Sequence, residues 1–135
     1  MEALRIIILV LNHLMLTDGR SCPWSRTTAV EVDSCPLSNN DINDRAIMKK
    51  CGSVALVQNC SDASKFQYHC LINEAENAFF EVCVPSYIIL LGYCAEYNTV
   101  GALVQQHRGL KCSEMNPPCP QLYNSTDAYL CKKEK

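Results

Sequence analysis

Long apolar runs are almost missing from this sequence. The longest stretches from Ile6 to Leu16, and Asn12 and His13 interrupt it. A membrane-spanning helix needs about 20 apolar residues, so this run is too short for an anchor. Ser86 to Leu91 is shorter still and reads as a buried strand. Runs of one charge are missing too. The formal net charge is −2, and the only cluster is Lys132-Lys133-Glu134-Lys135. Basic tracts that bind nucleic acid or heparin span about 5–8 residues. The cluster reads as a solvated tail, and no basic face for nucleic acid is present.

Catalytic signatures are missing as well. No C-x-x-C pair occurs, which removes the usual redox motif. No G-x-S-x-G occurs, which removes the usual serine-hydrolase elbow. Structural zinc sites use cysteine pairs at C-x₂₋₄-C spacing; the closest pair here, Cys112 and Cys119, has six residues between. Neither a metal nor a cofactor is expected. Glu74 and Glu76 stand in a turn and read as solvated charges rather than an acid/base pair. His69 reads as a surface histidine. The chain is expected not to be an enzyme.

Ten cysteines are what the sequence does have: Cys22, Cys35, Cys51, Cys60, Cys70, Cys83, Cys94, Cys112, Cys119 and Cys131. All follow a leader with Arg5 in its n-region, an apolar centre, and small residues suiting cleavage after Gly19 or after Ser21. Residues 1–21 are therefore read as a signal peptide and 22–135 as one secreted, extracellular domain. An even cysteine count behind such a leader is the mark of a disulfide framework. Ten cysteines allow about 945 connectivities, and spacing does not choose among them. Two N-x-[ST] sequons, Asn124-Ser125-Thr126 and Asn59-Cys60-Ser61, are candidate glycan sites, Asn124 the better placed.

The expected elements follow from periodicity. A helix is predicted over Asp41 to Cys51, capped by Ser38-Asn39-Asn40, with acids first and bases last as the helix dipole prefers. Ile42, Ala46, Ile47 and Cys51 form its apolar face, and Gly52 is its C′ residue. Thr27 to Asp33 is a possible short strand. Phe66 to Ile72 and Ala78 to Val84 read as a hairpin. A five-residue loop is predicted, because a four-residue loop would set Glu81 among the apolar side chains and bury a charge. That register puts Cys70 and Cys83 on opposite faces and forbids their pairing. Tyr87–Leu91, Tyr93–Tyr97 and Ala102–Gln106 are further strands. From Lys111 a loop-rich clasp follows, with a helical turn near Ser125 to Tyr129.

Tyr68-His69-Cys70-Leu71, Glu81-Val82-Cys83, Gly92-Tyr93-Cys94-Ala95-Glu96-Tyr97 and Cys119-Pro120…Tyr123…Ser125-Thr126-Asp127-Ala128-Tyr129 carry a resemblance. Over about residues 40 to 131 the chain resembles a cysteine-rich extracellular module of mollusc secreted and receptor-like proteins. In that group the module often sits outside a membrane-spanning helix. The sequence here ends soon after Cys131, which suits a stand-alone secreted form or the outer part of a receptor. The resemblance implies no catalytic or ligand residue.

The expected fold is thus small, disulfide-rich α+β, with one N-terminal helix packed on an antiparallel sheet of hairpins. The expected function is a secreted recognition or adhesion module for an extracellular protein or glycan. The alternatives are a secreted inhibitor or defence protein, with the Cys94–Cys112 segment as its loop, and an extracellular-matrix component.

Overall fold

The computed structural model describes residues 21–131; the leader and the terminal lysine cluster lie outside the described residues. The protein is a small disulfide-rich α+β fold. Its strands are β1 (Val30–Val32), β2 (Phe66–Asn73), β3 (Phe79–Pro85), β4 (Ile88–Ile89), β5 (Tyr93–Asn98), β6 (Leu103–Lys111) and β7 (Tyr123–Asn124). Its α-helices are α1 (Asn39–Lys49) and α2 (Cys51–Ala55). The main sheet has the order β1-β3-β2-β5-β6, and β4 pairs with β7 beside it. The sheet is not purely antiparallel, because β2 and β5 run parallel, with Ile72 beside Glu96 and Asn73 beside Tyr97. Strand β5 follows β3 in the chain but docks on the far side of β2, and the long connection between β2 and β5, which includes β3, supplies the crossover that parallel neighbours need. Strands β3 and β6 also approach each other, although two strands separate them in the order, so the sheet is curled.

The β2–β3 hairpin corrects the predicted register by one residue. Leu71 faces Phe80, Cys70 faces Glu81 and Tyr68 faces Cys83. The loop has four residues, 74–77, closed by Asn73 N–H donating to the Ala78 carbonyl at 3.0 Å. Asn73 shapes that loop: its Oδ1 accepts from the amides of Asn77 and Ala78 at 3.0 and 3.1 Å. Because side chains alternate along a strand, a one-residue slip exchanges the two faces. Glu81 accordingly lies with Tyr68, Cys70 and Cys83, while His69 lies with Leu71, Val82 and Val84. The charge burial that argued against this register is real, since Glu81 is 6% exposed. Arg45 offsets it from α1.

Cys70 and Cys83 therefore share a face, yet do not pair with each other. The bonds are Cys22–Cys60, Cys35–Cys70, Cys51–Cys83, Cys94–Cys131 and Cys112–Cys119. No cysteine among the described residues is free. The first six cysteines pair among themselves, and so do the last four. Each set has its own apolar cluster. Cys22, Cys51 and Cys83 pack with Ala55 and Phe66. Cys94, Cys112 and Cys131 pack with Leu71, Val82, Val84, Ile89, Tyr97 and Val104.

Helix α1 departs from expectation in how it is held. Ser38 caps it, its side chain accepting from the Asp41 amide at 3.1 Å, as short polar residues do at an N-cap. Lys50 then takes the left-handed conformation (φ 55°), and Cys51 and Gly52 begin α2. The turn at Lys50 delivers Cys51 to Cys83 on the sheet; Gly52 is not the C′ residue. The apolar face drawn from spacing is not a core face: α1 buries no residue, and Ile47 is 74% exposed. The helix is held at its flanks by Cys35–Cys70 and Cys51–Cys83 and in its middle by Arg45.

Candidate functional site

A groove of about 790 Å³ runs between α1, the start of β2 and the 3-10 turn Ser125–Leu130. Asn39, Asn43 and Lys50 line it from the helix side; Gln67, Thr126 and Asp127 line it from the other. Ile42, Ala46 and Ile47 give it an apolar strip, and Phe66 and Tyr68 stand in its floor. The helix spacing that failed to make a core thus makes a groove wall.

The floor is stiffened by a charged triad. Glu81 Oε1 accepts from Arg45 Nε at 2.6 Å and its Oε2 from Arg45 Nη2 at 2.5 Å. The Tyr68 hydroxyl donates to Glu81 Oε1 at 2.7 Å. The bidentate fork fixes direction as well as distance. The Arg45 hydrogen bond, helped by Tyr68, holds the Glu81 carboxyl below the usual carboxylate range against the opposing effect of burial. Burial, followed by the bond to Glu81, pushes the Tyr68 hydroxyl up.

The other wall rests on a buried histidine–serine pair. His69 is not on the surface but 1% exposed. Its Nδ1 lies 2.9 Å from the Gln67 carbonyl oxygen, and its Nε2 lies 2.8 Å from Ser125 Oγ. A carbonyl only accepts, so Nδ1 carries the proton and Nε2 accepts from the serine hydroxyl. Ser125 Oγ accepts in turn from the Tyr87 amide at 2.9 Å. Burial lowers the His69 pKa to about 4, so the imidazole is neutral. Serine and histidine in this order resemble a nucleophile and its base, but Ser125 is itself 1% exposed. The pair clamps the C-terminal turn onto β2.

A third polar group gathers where the β2–β3 loop meets β5 and β6. Glu74 is not a solvated charge: it accepts from the Thr99 amide at 3.0 Å and from the Thr99 hydroxyl at 2.5 Å. Burial pushes its carboxyl up, but these bonds outweigh it and leave the pKa lowered. Glu76 stands 3.1 Å from His107 Nε2, and His107 Nδ1 accepts from the amides of Gly109 and Leu110. Glu96, 2% exposed, has its carboxyl pushed up by burial, with His107 opposing. These groups brace the β5–β6 turn, where Ser21 Oγ also donates to the Gly101 carbonyl at 2.7 Å and Arg26 to that of Val100.

The two sequons differ in setting. Asn59 is exposed. Asn124 is half-buried, and its Oδ1 accepts from the Thr126 amide at 3.0 Å and hydroxyl at 2.9 Å, which caps the 3-10 turn. Neither sequence spacing nor the structure brings a predicted site residue other than cysteine into a cluster. The residues that do meet form two pairs on opposite faces of the hairpin, Arg45 with Glu81 and His69 with Ser125; the observed register, one residue from the expected one, turns Glu81 and His69 inward.

No protein-family model, curated protein sequence or solved structure matches the chain. No helix among the described residues is long and apolar enough to cross a membrane.

Proposed function

We propose that the protein is a secreted, non-enzymatic recognition module of the cysteine-rich extracellular kind it resembles, binding an extracellular protein or glycan in the α1 groove. The observation that carries this reading is the groove lining. Amide, hydroxyl and charged side chains alternate there with an apolar strip and an aromatic floor, the composition of sites that orient a ligand by a few polar bonds. The triad and the disulfides beside it keep both walls in place without ligand, which reduces the entropy lost on binding. The ten disulfide-bonded cysteines suit an oxidising, extracellular setting. Asn59 and Asn124 are its proposed glycan sites.

The test is a screen of the secreted protein against arrayed glycans and arrayed extracellular proteins, alongside the variant Asn43→Lys/Ile47→Asp. Both positions are exposed, so the fold should persist. A ligand bound by the natural chain and lost in the variant supports the site. A ligand bound equally by both places recognition elsewhere.

The inhibitor reading has one observation of its own. The Cys94–Cys112 segment is a β-hairpin whose tip is braced from three sides by Ser21, Arg26 and Glu74, and Val100 projects from it at 80% exposure. A panel of proteases left uninhibited would count against that role.

A further inference from the structure

Two disulfides lie against each other in the C-terminal half. The sulfurs of Cys94, Cys112 and Cys131 are all within 4.8 Å of one another, and Cys112 carries Cys119 as its partner. Four sulfurs thus form one cluster, in which the two bonds are within exchange distance once one of them opens. They differ in access. Cys94, Cys112 and Cys131 are buried, whereas Cys119 is half-buried between exposed Pro118 and Pro120. They differ in consequence too. Cys112–Cys119 spans a sequence separation of 7 and Cys94–Cys131 one of 37, so the short bond constrains the unfolded chain least. Opening it does not scatter its partners, because Cys119 N–H donates to the Cys112 carbonyl at 3.0 Å.

We propose that Cys119 is a modification site for a low-molecular-weight thiol of the glutathione class, and that the modification passes inward to Cys94–Cys131. The external thiolate attacks Cys119 Sγ. A mixed disulfide forms there, the Cys112–Cys119 bond breaks, and its electron pair leaves on Cys112. The new thiolate faces the carbonyl oxygens of Tyr93 and Gly92 at 3.3 and 3.6 Å, and the Tyr123 hydroxyl 3.6 Å away gives its proton to the Tyr93 carbonyl, a poor setting for a buried negative charge. It attacks Cys94 Sγ in the cluster, the Cys94–Cys112 bond forms, and Cys131 leaves as thiolate and takes a proton from water. One external thiol is consumed, one protein thiol appears, and the number of disulfides is unchanged, as thiol–disulfide exchange requires. Cys131, not Cys94, is the leaving group because Cys94 sits inside β5, between Tyr93 and Ala95 that pair with β6, and Cys112 directly follows β6. Cys131 only ends the turn that Ser125 clamps to His69. Its release frees the C-terminal end of that turn, one wall of the groove, and leaves the Ser125–His69 bond as its remaining tie.

The experiment incubates the native secreted protein with reduced glutathione, traps free thiols by alkylation at low pH, and maps the products by mass spectrometry. The expected product carries one glutathione on Cys119, a Cys94–Cys112 bond and alkylated Cys131. The variant Cys119→Ser is expected to show the same Cys94–Cys112 bond and free Cys131 without any added thiol. If that variant is not secreted, the natural chain still decides. Alkylation at Cys112 with Cys94–Cys131 intact overturns the inward step. A free Cys94 overturns the assigned leaving group. Glutathione found first on any other cysteine, or on none, overturns the site.

Discussion

Arg45 on α1 grips both carboxylate oxygens of Glu81 on β3, 36 residues away, at 2.6 and 2.5 Å. This bond settles two matters together: it fixes a helix that has no buried face of its own, and it makes tolerable a carboxylate that strand register forces inward. Removing the cation while leaving the buried anion is the costly direction. Arg45→Met is expected to destabilise the protein, because it leaves the buried Glu81 carboxylate without its cation. Urea unfolding measures it. Glu81 is held below its unfolded value, so its contribution is present above about pH 4.3 and is lost as pH falls through the lower folded value. In Arg45→Met that acid-side loss should shrink. An unchanged urea midpoint would show that the pair is incidental.

His69 gives a second pH effect in a separate window. Its folded pKa is about 4, against about 6.5 in an unfolded chain. Between these values the unfolded chain binds a proton that the folded chain refuses. Stability is therefore full above about pH 6.5 and falls as pH drops toward about 4, by on the order of 3 kcal/mol. His69→Gln is expected to flatten the curve across that window. A mutant curve parallel to the natural one would mean that His69 titrates freely in the folded protein.

Helix α1 should depend on its flanking bridges rather than on packing. Replacing Cys51 and Cys83 together by serine is expected to cost about 2–4 kcal/mol and to raise amide exchange along Asn39–Lys49, while the β2–β3 amides stay protected. A helix that remained protected in this variant would have to be held by contacts other than those at its ends.

The two sequons separate glycan from cap. In protein freed of glycan, Asn124→Ala is expected to cost about 0.5–2 kcal/mol, the usual loss for an N-cap, because Thr126 loses its acceptor. Asn59→Ala at its exposed site should leave the melting temperature unchanged. Equal effects would remove the capping role. Glycosidase treatment of protein from a eukaryotic secretory host is expected to lower its mass.

The strands were legible in the sequence, and their register was not. Phe66–Asn73 and Phe79–Pro85 carry β-branched and aromatic residues that suit a pleated, half-buried surface. Local sequence shows only the cost of burying Glu81, which favours a five-residue loop, whereas the residue that removes this cost, Arg45, stands in another element. The register that keeps Glu81 out of the core also turns His69 outward, so the His69–Ser125 pair has no signal in local sequence. Helix α1 shows the opposite case. Ile42, Ala46 and Ile47 have core spacing, but two disulfides hold the helix, and its apolar positions line a groove. The parallel β2–β5 pairing had no sequence signal, because strand order depends on contacts between distant segments. The groove itself joins residues near 40, 67 and 127, which no local pattern links.

Disulfide mapping of protein expressed through an oxidising secretory host tests the central claim most directly. After unfolding without reduction, cleavage between Cys83 and Cys94 should yield two separable parts. One should hold Cys22–Cys60, Cys35–Cys70 and Cys51–Cys83, and the other Cys94–Cys131 and Cys112–Cys119. A bond that joins the two parts, or a Cys70–Cys83 bond, would contradict the fold described here.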